Sequence, residues 1–207
     1  MRVIISIIIG WLMAGILHAA PVILVYGDSL SAGYGLPAGK GWANLLAERL
    51  NGRYRVVNAS LSGETTAGGL ARLEHTLAEH RPAVVLLALG ANDGLRGLPI
   101  TMAEQNLDQM LKRIRQKRAH TLLIGMHLPP NYGATYTHSF AQMYKTLAER
   151  NRVVLVPFML EGFASQPEFF LADGIHPNVQ AQPFILKTLE GKLATLLETA
   201  RPAHSKR

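Results

Sequence analysis

Four short stretches of the chain hold residues whose chemistry can be combined. Ser29 lies in Gly27-Asp28-Ser29-Leu30, Gly63 in the polar turn Ser60-Leu61-Ser62-Gly63-Glu64-Thr65, and Asn92 in Gly90-Ala91-Asn92-Asp93-Gly94. Asp173 and His176 share Asp173-Gly174-Ile175-His176. A serine hydroxyl becomes a useful nucleophile when a base is within hydrogen-bond reach, a third group orients that base, and donors wait where an oxyanion forms. His176 is the candidate base, because imidazole can take a proton and return it near neutrality. Asp173 is the candidate orienter. The backbone N–H groups of Ser29 and Gly63 and the side-chain amide of Asn92 are candidate oxyanion donors. Each stretch also has an ordinary reading: Asp and Ser favour turns and helix caps, Asn-Asp-Gly and Asp-Gly are good turn sequences, and His176 is one of eight histidines. Their joint occurrence is what points to acyl transfer, with Asp93 expected to brace its loop.

The elements that must position these residues can be read from periodicity. Apolar runs at 22–26, 54–59, 83–89, 121–126 and 152–156 predict five strands. Between and after them, apolar residues recur at helical spacing: Trp42, Leu45, Leu46 and Leu50; Leu70, Leu73 and Leu77; Leu107, Met110, Leu111 and Ile114; Phe140, Met143, Tyr144 and Leu147; and Leu186, Leu189, Leu193 and Leu196. Strands alternating with helices imply a three-layer α/β/α sandwich around a five-stranded parallel sheet. In such a sheet the carboxyl ends of the strands form one rim, where ligands bind. Ser29, Gly63 and Asn92 each follow a strand, and the loop at 161–177 that carries Asp173 and His176 follows the last one. All five candidates are therefore expected on that rim. Strand order is not fixed by periodicity, although a flavodoxin-like order would place the switch point beside the first strand. The loops at 95–100, 129–136 and 158–170 are expected to supply substrate walls.

The 207 residues suffice for one domain of ordinary size. Residues 1–19 stand apart: Arg2 is their only charge, 3–17 is almost wholly apolar, and Ala19 and Ala20 follow. That layout predicts a secretory signal peptide, with a domain over 20–200 and a basic tail over 201–207. An apolar run of about 15 residues is short for a membrane span, which needs about 20. Export to the periplasm or the medium is expected. With no cysteine there is neither a disulfide framework nor a thiolate nucleophile or metal ligand. No cofactor or metal is expected. The formal charge of +7 favours transient contact with an anionic membrane surface, but the cations are scattered and not interleaved with aromatics, so nucleic acid is not an expected partner. The expected state is a monomer acting on a small-molecule substrate.

Taken in order, Gly27-Asp28-Ser29-Leu30, Gly63, Gly90-Ala91-Asn92-Asp93 and Asp173-Gly174-Ile175-His176 resemble the four blocks of the SGNH (GDSL) hydrolase family. Asn58-Ala59-Ser60, Gly94-Leu95-Arg96-Gly97 and Leu128-Pro129-Pro130-Asn131-Tyr132-Gly133 look like its thioesterase I, lysophospholipase and arylesterase branch. The resemblance spans the chain beyond the expected signal. It implies the SGNH hydrolase fold and a serine esterase of broad specificity on acyl esters and acyl thioesters, with Ser29, Gly63 and Asn92 as its oxyanion hole. Three other readings stand beside it. A dinucleotide-binding domain fits poorly, since Gly33, Gly35 and Gly39 have the wrong last spacing, Pro37 interrupts them, and Asn58 stands where an acidic residue is needed. A non-catalytic α/β binding protein would not need Asp173 and His176. A carbohydrate O-acetylesterase could use the same residues.

Overall fold

The computed structural model describes residues 20–200. The expected signal peptide at 1–19 and the basic tail at 201–207 lie outside the described residues. Five strands form among the described residues: β1 (Val22–Gly27), β2 (Arg55–Asn58), β3 (Val84–Ala88), β4 (His120–Ile124) and β5 (Val154–Val156). Every pairing is parallel and the order is β2-β1-β3-β4-β5. Winding thus reverses beside β1, which is the flavodoxin-like arrangement with its switch point between β1 and β3.

Among the described residues seven α-helices connect and cover the sheet: α1 (Ser29–Ala32), α2 (Trp42–Arg49), α3 (Thr66–His80), α4 (Ala91–Leu95), α5 (Ile100–Gln116), α6 (Ala134–Asn151) and α7 (Gln182–Thr199). Alternate strand residues feed two separate cores, as the pleat requires. Ile23, Val25, Val84, Leu86, Leu122 and Ile124 pack under α2 and α7, against Trp42, Leu46, Ile185 and Leu189. Leu24, Tyr26, Val85, Leu87 and Leu123 face α3, α5 and α6, against Leu73, Leu107, Met110, Phe140 and Leu147. Both faces of the central strands are buried, hence their unbroken apolar sequences.

Strand limits differ from the sequence reading by a residue or two, for local reasons. β5 starts at Val154 because Arg152, in the left-handed region, caps α6, and the Val153 N–H still donates to the Ala148 carbonyl. β4 ends at Ile124: the Gly125 N–H still makes a ladder bond to the Val156 carbonyl, but the Gly125 carbonyl accepts the Met159 N–H from the loop after β5. Two turns are short helices instead. Asp28 caps α1, its Oδ1 accepting the Leu30 N–H at 3.1 Å, and the Asn-Asp-Gly turn is the body of α4. Among the described residues no helix is long and apolar enough to cross a membrane.

Candidate active site

Ser29 opens α1 immediately after β1, so its hydroxyl stands at the carboxyl edge of the sheet. The loop after β5 returns to the same edge. There an antiparallel bridge between Phe170 and Pro177, and an N–H from Leu171 to the His176 carbonyl at 2.8 Å, hold the backbone around the imidazole. Residues 147 positions apart then meet: His176 Nε2 lies 2.9 Å from Ser29 Oγ. On the other side of the ring, His176 Nδ1 lies 2.7 Å from Asp173 Oδ2. The line from carboxylate to imidazole to hydroxyl is continuous, which is the geometry that lets a base take the hydroxyl proton.

Asp173 is fixed by more than its imidazole. Its Oδ1 accepts the Ile175 N–H at 2.8 Å and the His176 N–H at 2.9 Å. These donors favour the charged form: the carboxyl is held down to about 2, chiefly by the His176 N–H, with burial the next largest effect and opposed to it, and the Ile175 N–H and the imidazole adding to the lowering. Asp28 has the opposite environment. It is 2% exposed, and burial pushes its carboxyl up to about 6, against the Leu30 N–H and the nearby His176, which both favour ionisation.

The candidate oxyanion donors are placed less uniformly. Neither the Ser29 N–H nor the Gly63 N–H donates to a backbone carbonyl among the described residues. Asn92 lines the same cavity as Ser29 and His176, and its Nδ2 donates to the Glu64 carbonyl at 3.0 Å, leaving that amide's second N–H. Gly63 has φ of +78° and is not among the residues that line the cavity. Its carbonyl accepts Arg96 Nη2 at 3.0 Å, and the loop before it is tied to the turn around Ser29 by Leu61 N–H to Gly27 O at 3.0 Å and Asn58 Nδ2 to Ser31 O at 2.7 Å. Gly90 sets the start of α4. Its φ is +116°, and a Cβ there would lie 2.4 Å from the Tyr144 hydroxyl, so both conformation and space exclude a side chain. Asp93 braces, as its sequence suggested: its two oxygens take the Thr66 N–H at 2.8 Å and the Thr66 hydroxyl at 2.6 Å.

Beside the triad is a cavity of about 560 Å³ with largely apolar walls, including Leu30, Leu95, Leu128, Phe158, Leu160 and Phe170. It lies within the range of small-molecule sites, about 300–1,000 Å³. The three loops expected to supply walls do so in part: Leu95 from the first, Pro129 and Pro130 from the second, and Phe158 to Phe170 from the third. His127, which has no ligand spacing in the sequence, stacks on Phe158 with centroids 4.3 Å apart and forms part of the wall. Burial pushes its pKa down. Among the described residues no group of three or more His, Asp or Glu side chains is placed to hold a metal ion.

Two residues that periodicity assigned only to helix faces, or not at all, hold the halves of the site together. Gln182 is buried; its Oε1 accepts the Trp42 N–H at 3.0 Å, and its Nε2 donates to the carbonyls of Pro177 and Asn178 at 3.2 and 3.0 Å. Trp42 Nε1 in turn donates to the Leu30 carbonyl at 3.2 Å. The backbone beside Ser29 and the backbone beside His176 are thus joined through α2 and α7.

Comparison with known proteins places the chain among esterases and acylhydrolases of this fold. The GDSL-like Lipase/Acylhydrolase family matches residues 25–182. Esterase TesA of Pseudomonas aeruginosa is 48% identical over 182 residues, covering 86% of this chain and 90% of that protein. Thioesterase 1/protease 1/lysophospholipase L1 of Escherichia coli K12 is 44% identical, covering 86% of each. A crystal structure of the psychrotrophic esterase EstA from Pseudoalteromonas, inhibited by monoethylphosphonate, superposes with a TM-score of 0.82 at 36% identity, covering 86% of this chain and 98% of the other. With the matched region running from β1 through the loops at the carboxyl edge of the sheet into α7, this chain belongs to the GDSL-like lipase/acylhydrolase family.

Proposed function

We propose that this enzyme hydrolyses acyl esters and acyl thioesters with Ser29 as nucleophile, His176 as general base and acid, and Asp173 as the group that orients His176. The observation that carries the reading is the unbroken line from Asp173 Oδ2 through His176 to Ser29 Oγ, at 2.7 and 2.9 Å. Ser29 Oγ bonds to the carbonyl carbon while its proton passes to His176 Nε2. The carbonyl oxygen, now negative, accepts hydrogen bonds from the N–H groups of Ser29 and Gly63 and the Asn92 amide. The imidazolium then gives its proton to the departing alcohol or thiol, leaving Ser29 acylated. Water repeats the cycle, losing its proton to His176, and the acid is released with Ser29 restored.

The apolar cavity supports an acyl chain as the group held beside Ser29 and gives a sugar few polar partners, which favours this reading over a carbohydrate O-acetylesterase. The pattern of residues 1–19 supports export to the periplasm or the medium, and the charge of +7 supports transient contact with anionic surfaces. Reaction with an organophosphorus ester, followed by intact-mass measurement and peptide mapping, tests the assignment. One adduct on Ser29, absent from Ser29→Ala, is expected; no adduct would indicate a binding protein, and an adduct on Ser31 or Ser62 would move the nucleophile. A ladder of esters and thioesters of increasing chain length then measures how much chain the cavity takes.

A further inference from the structure

Beyond the two hydrogen bonds of its ring, the His176 imidazole has an aromatic neighbour. The Tyr34 ring lies against the imidazole, with centroids 4.5 Å apart and planes inclined at 42°. Tyr34 is 53% exposed, so burial does not keep it there. Backbone geometry does. The N–H groups of Gly33 and Tyr34 both donate to the Ser29 carbonyl, at 3.1 and 3.2 Å, and Gly33 and Gly35 hold φ of +78° and +72° on either side of the tyrosine. A Cβ on Gly35 would lie 2.5 Å from Leu171 Cδ1, and Leu171 is the residue whose N–H holds the His176 carbonyl. The turn that carries the hydroxyl and the loop that carries the imidazole therefore both fix where Tyr34 sits.

We propose that Tyr34 is a positioning residue for His176, its ring stabilising the imidazolium that forms when the base takes the serine proton. The proposal rests on the reading of His176 as that base. An aromatic ring attracts a cation within about 6 Å of its centroid, and the attraction is far weaker for a neutral ring, so the contribution appears as positive charge develops. From exposed to desolvated sites this corresponds to about 2- to 30-fold in rate. Among the described residues, the other titratable groups that act on the imidazole or share its cavity are Asp173 at Nδ1, the Asp28 carboxyl, whose ionisation His176 favours, and His127 in the cavity wall. None belongs to the loop that carries Tyr34, so a change of that side chain leaves them in place.

The test compares Tyr34→Leu, Tyr34→Phe and His176→Ala on one water-soluble ester, measuring kcat, KM and the pH profile of kcat/KM. Leucine keeps apolar bulk without the ring's charge distribution; phenylalanine keeps the ring without the hydroxyl. Tyr34→Leu should lower kcat by about 3- to 30-fold with KM within about twofold, and the acid limb of the profile should move to lower pH because the imidazolium has lost a stabilising neighbour. Tyr34→Phe should stay within about threefold of the wild type with its acid limb in place. A raised KM with an unmoved acid limb in Tyr34→Leu would make the ring a substrate contact and overturn the proposal. Equal losses in the two Tyr34 variants would assign the effect to the hydroxyl, which overturns it as well. Should His176→Ala retain wild-type kcat, the base assignment falls and this inference with it. An inactive His176→Ala beside a wild-type-like Tyr34→Leu removes the inference alone.

Discussion

Two aspartates flank the same imidazole, and their environments give them opposite properties. Asp173 sits on the loop after β5 with its side chain 38% exposed, accepts two backbone N–H groups and faces His176 Nδ1, and is held at about 2. Asp28 sits at the end of β1, is 2% exposed, caps α1 through Leu30 and is pushed up to about 6. Closeness to the imidazole does not distinguish them, since both feel His176. What distinguishes them is the number of N–H donors aimed at the carboxylate and the amount of protein over it. The exposed aspartate is therefore the one ionised across the working range and suited to hold an imidazolium, and the buried one is a cap that carries a desolvation cost.

The widest separation between the two should appear in turnover. Replacing the orienting carboxylate of a Ser-His-Asp arrangement by an amide costs about 10⁴ in kcat, because the amide stabilises the wrong tautomer and offers no charge to the imidazolium. Asp173→Asn should lose activity on that scale while remaining folded. Asp28→Asn keeps an oxygen to accept the Leu30 N–H, and its kcat should fall by no more than about tenfold. Steady-state kinetics of the two variants side by side decides the matter. Comparable losses would mean that Asp28 and Asp173 share the work of orienting the imidazole.

Next in size is an effect on stability, where the two carboxyls should act in opposite directions. Asp28 has a folded-state pKa above its ordinary 3.8, so between about pH 4 and 6 the folded protein holds a proton that the unfolded chain has released. Stability from this group therefore falls as pH rises through that window and stays lowered above it, by about 3 kcal/mol at 1.36 kcal/mol per tenfold change in ionisation constant. Asp173 is depressed, so its contribution is present above about pH 4 and is lost as pH falls towards about 2. Urea unfolding of Asp28→Asn and wild type at pH 4 and pH 8 should show the variant gaining on the wild type by up to about 3 kcal/mol between the two. In Asp173→Asn the slope that disappears should be the one below pH 4. A pH-independent difference for Asp28→Asn would show that its burial carries no cost.

How much of this could be read from the chain follows from where each interaction lives. A parallel sheet puts the residues after successive strands on one rim, so Ser29, Gly63, Asn92 and the 173–176 block could be grouped from strand ends alone. The Asx-type turn that ties Asp173 to His176 is local, and so is legible in the spacing of three. Long-range polar contacts leave no such mark. Gln182 has no place in the apolar periodicity that marks the last helix, yet it bonds to Trp42, 140 positions away; Trp42 reads as an apolar face residue, yet its ring N–H reaches Leu30. Tyr34 sits in a glycine-rich loop whose destination depends on Leu171 and His176. Strand order and the stacking of His127 on Phe158 are likewise decided by packing between distant segments.

The smallest expected effect concerns the joint between the two aspartate-bearing turns. Gln182 ties Trp42, and through it Leu30 beside Asp28 and Ser29, to Pro177 and Asn178 beside His176. Gln182→Leu preserves bulk but leaves the buried Trp42 N–H without its acceptor, and one stranded buried donor costs about 1–3 kcal/mol. Stability should therefore drop by about that amount, and by a similar amount at pH 4 and at pH 8, because neither aspartate changes its own donors. If the drop occurs and the pH 4 to 6 slope persists, the contrast between Asp28 and Asp173 is set within each turn. If the slope vanishes with the glutamine, Asp28 owes its burial to the joint, and the contrast belongs to the whole α2–α7 packing. Unchanged stability at both pH values would show that Gln182 joins nothing that folding depends on.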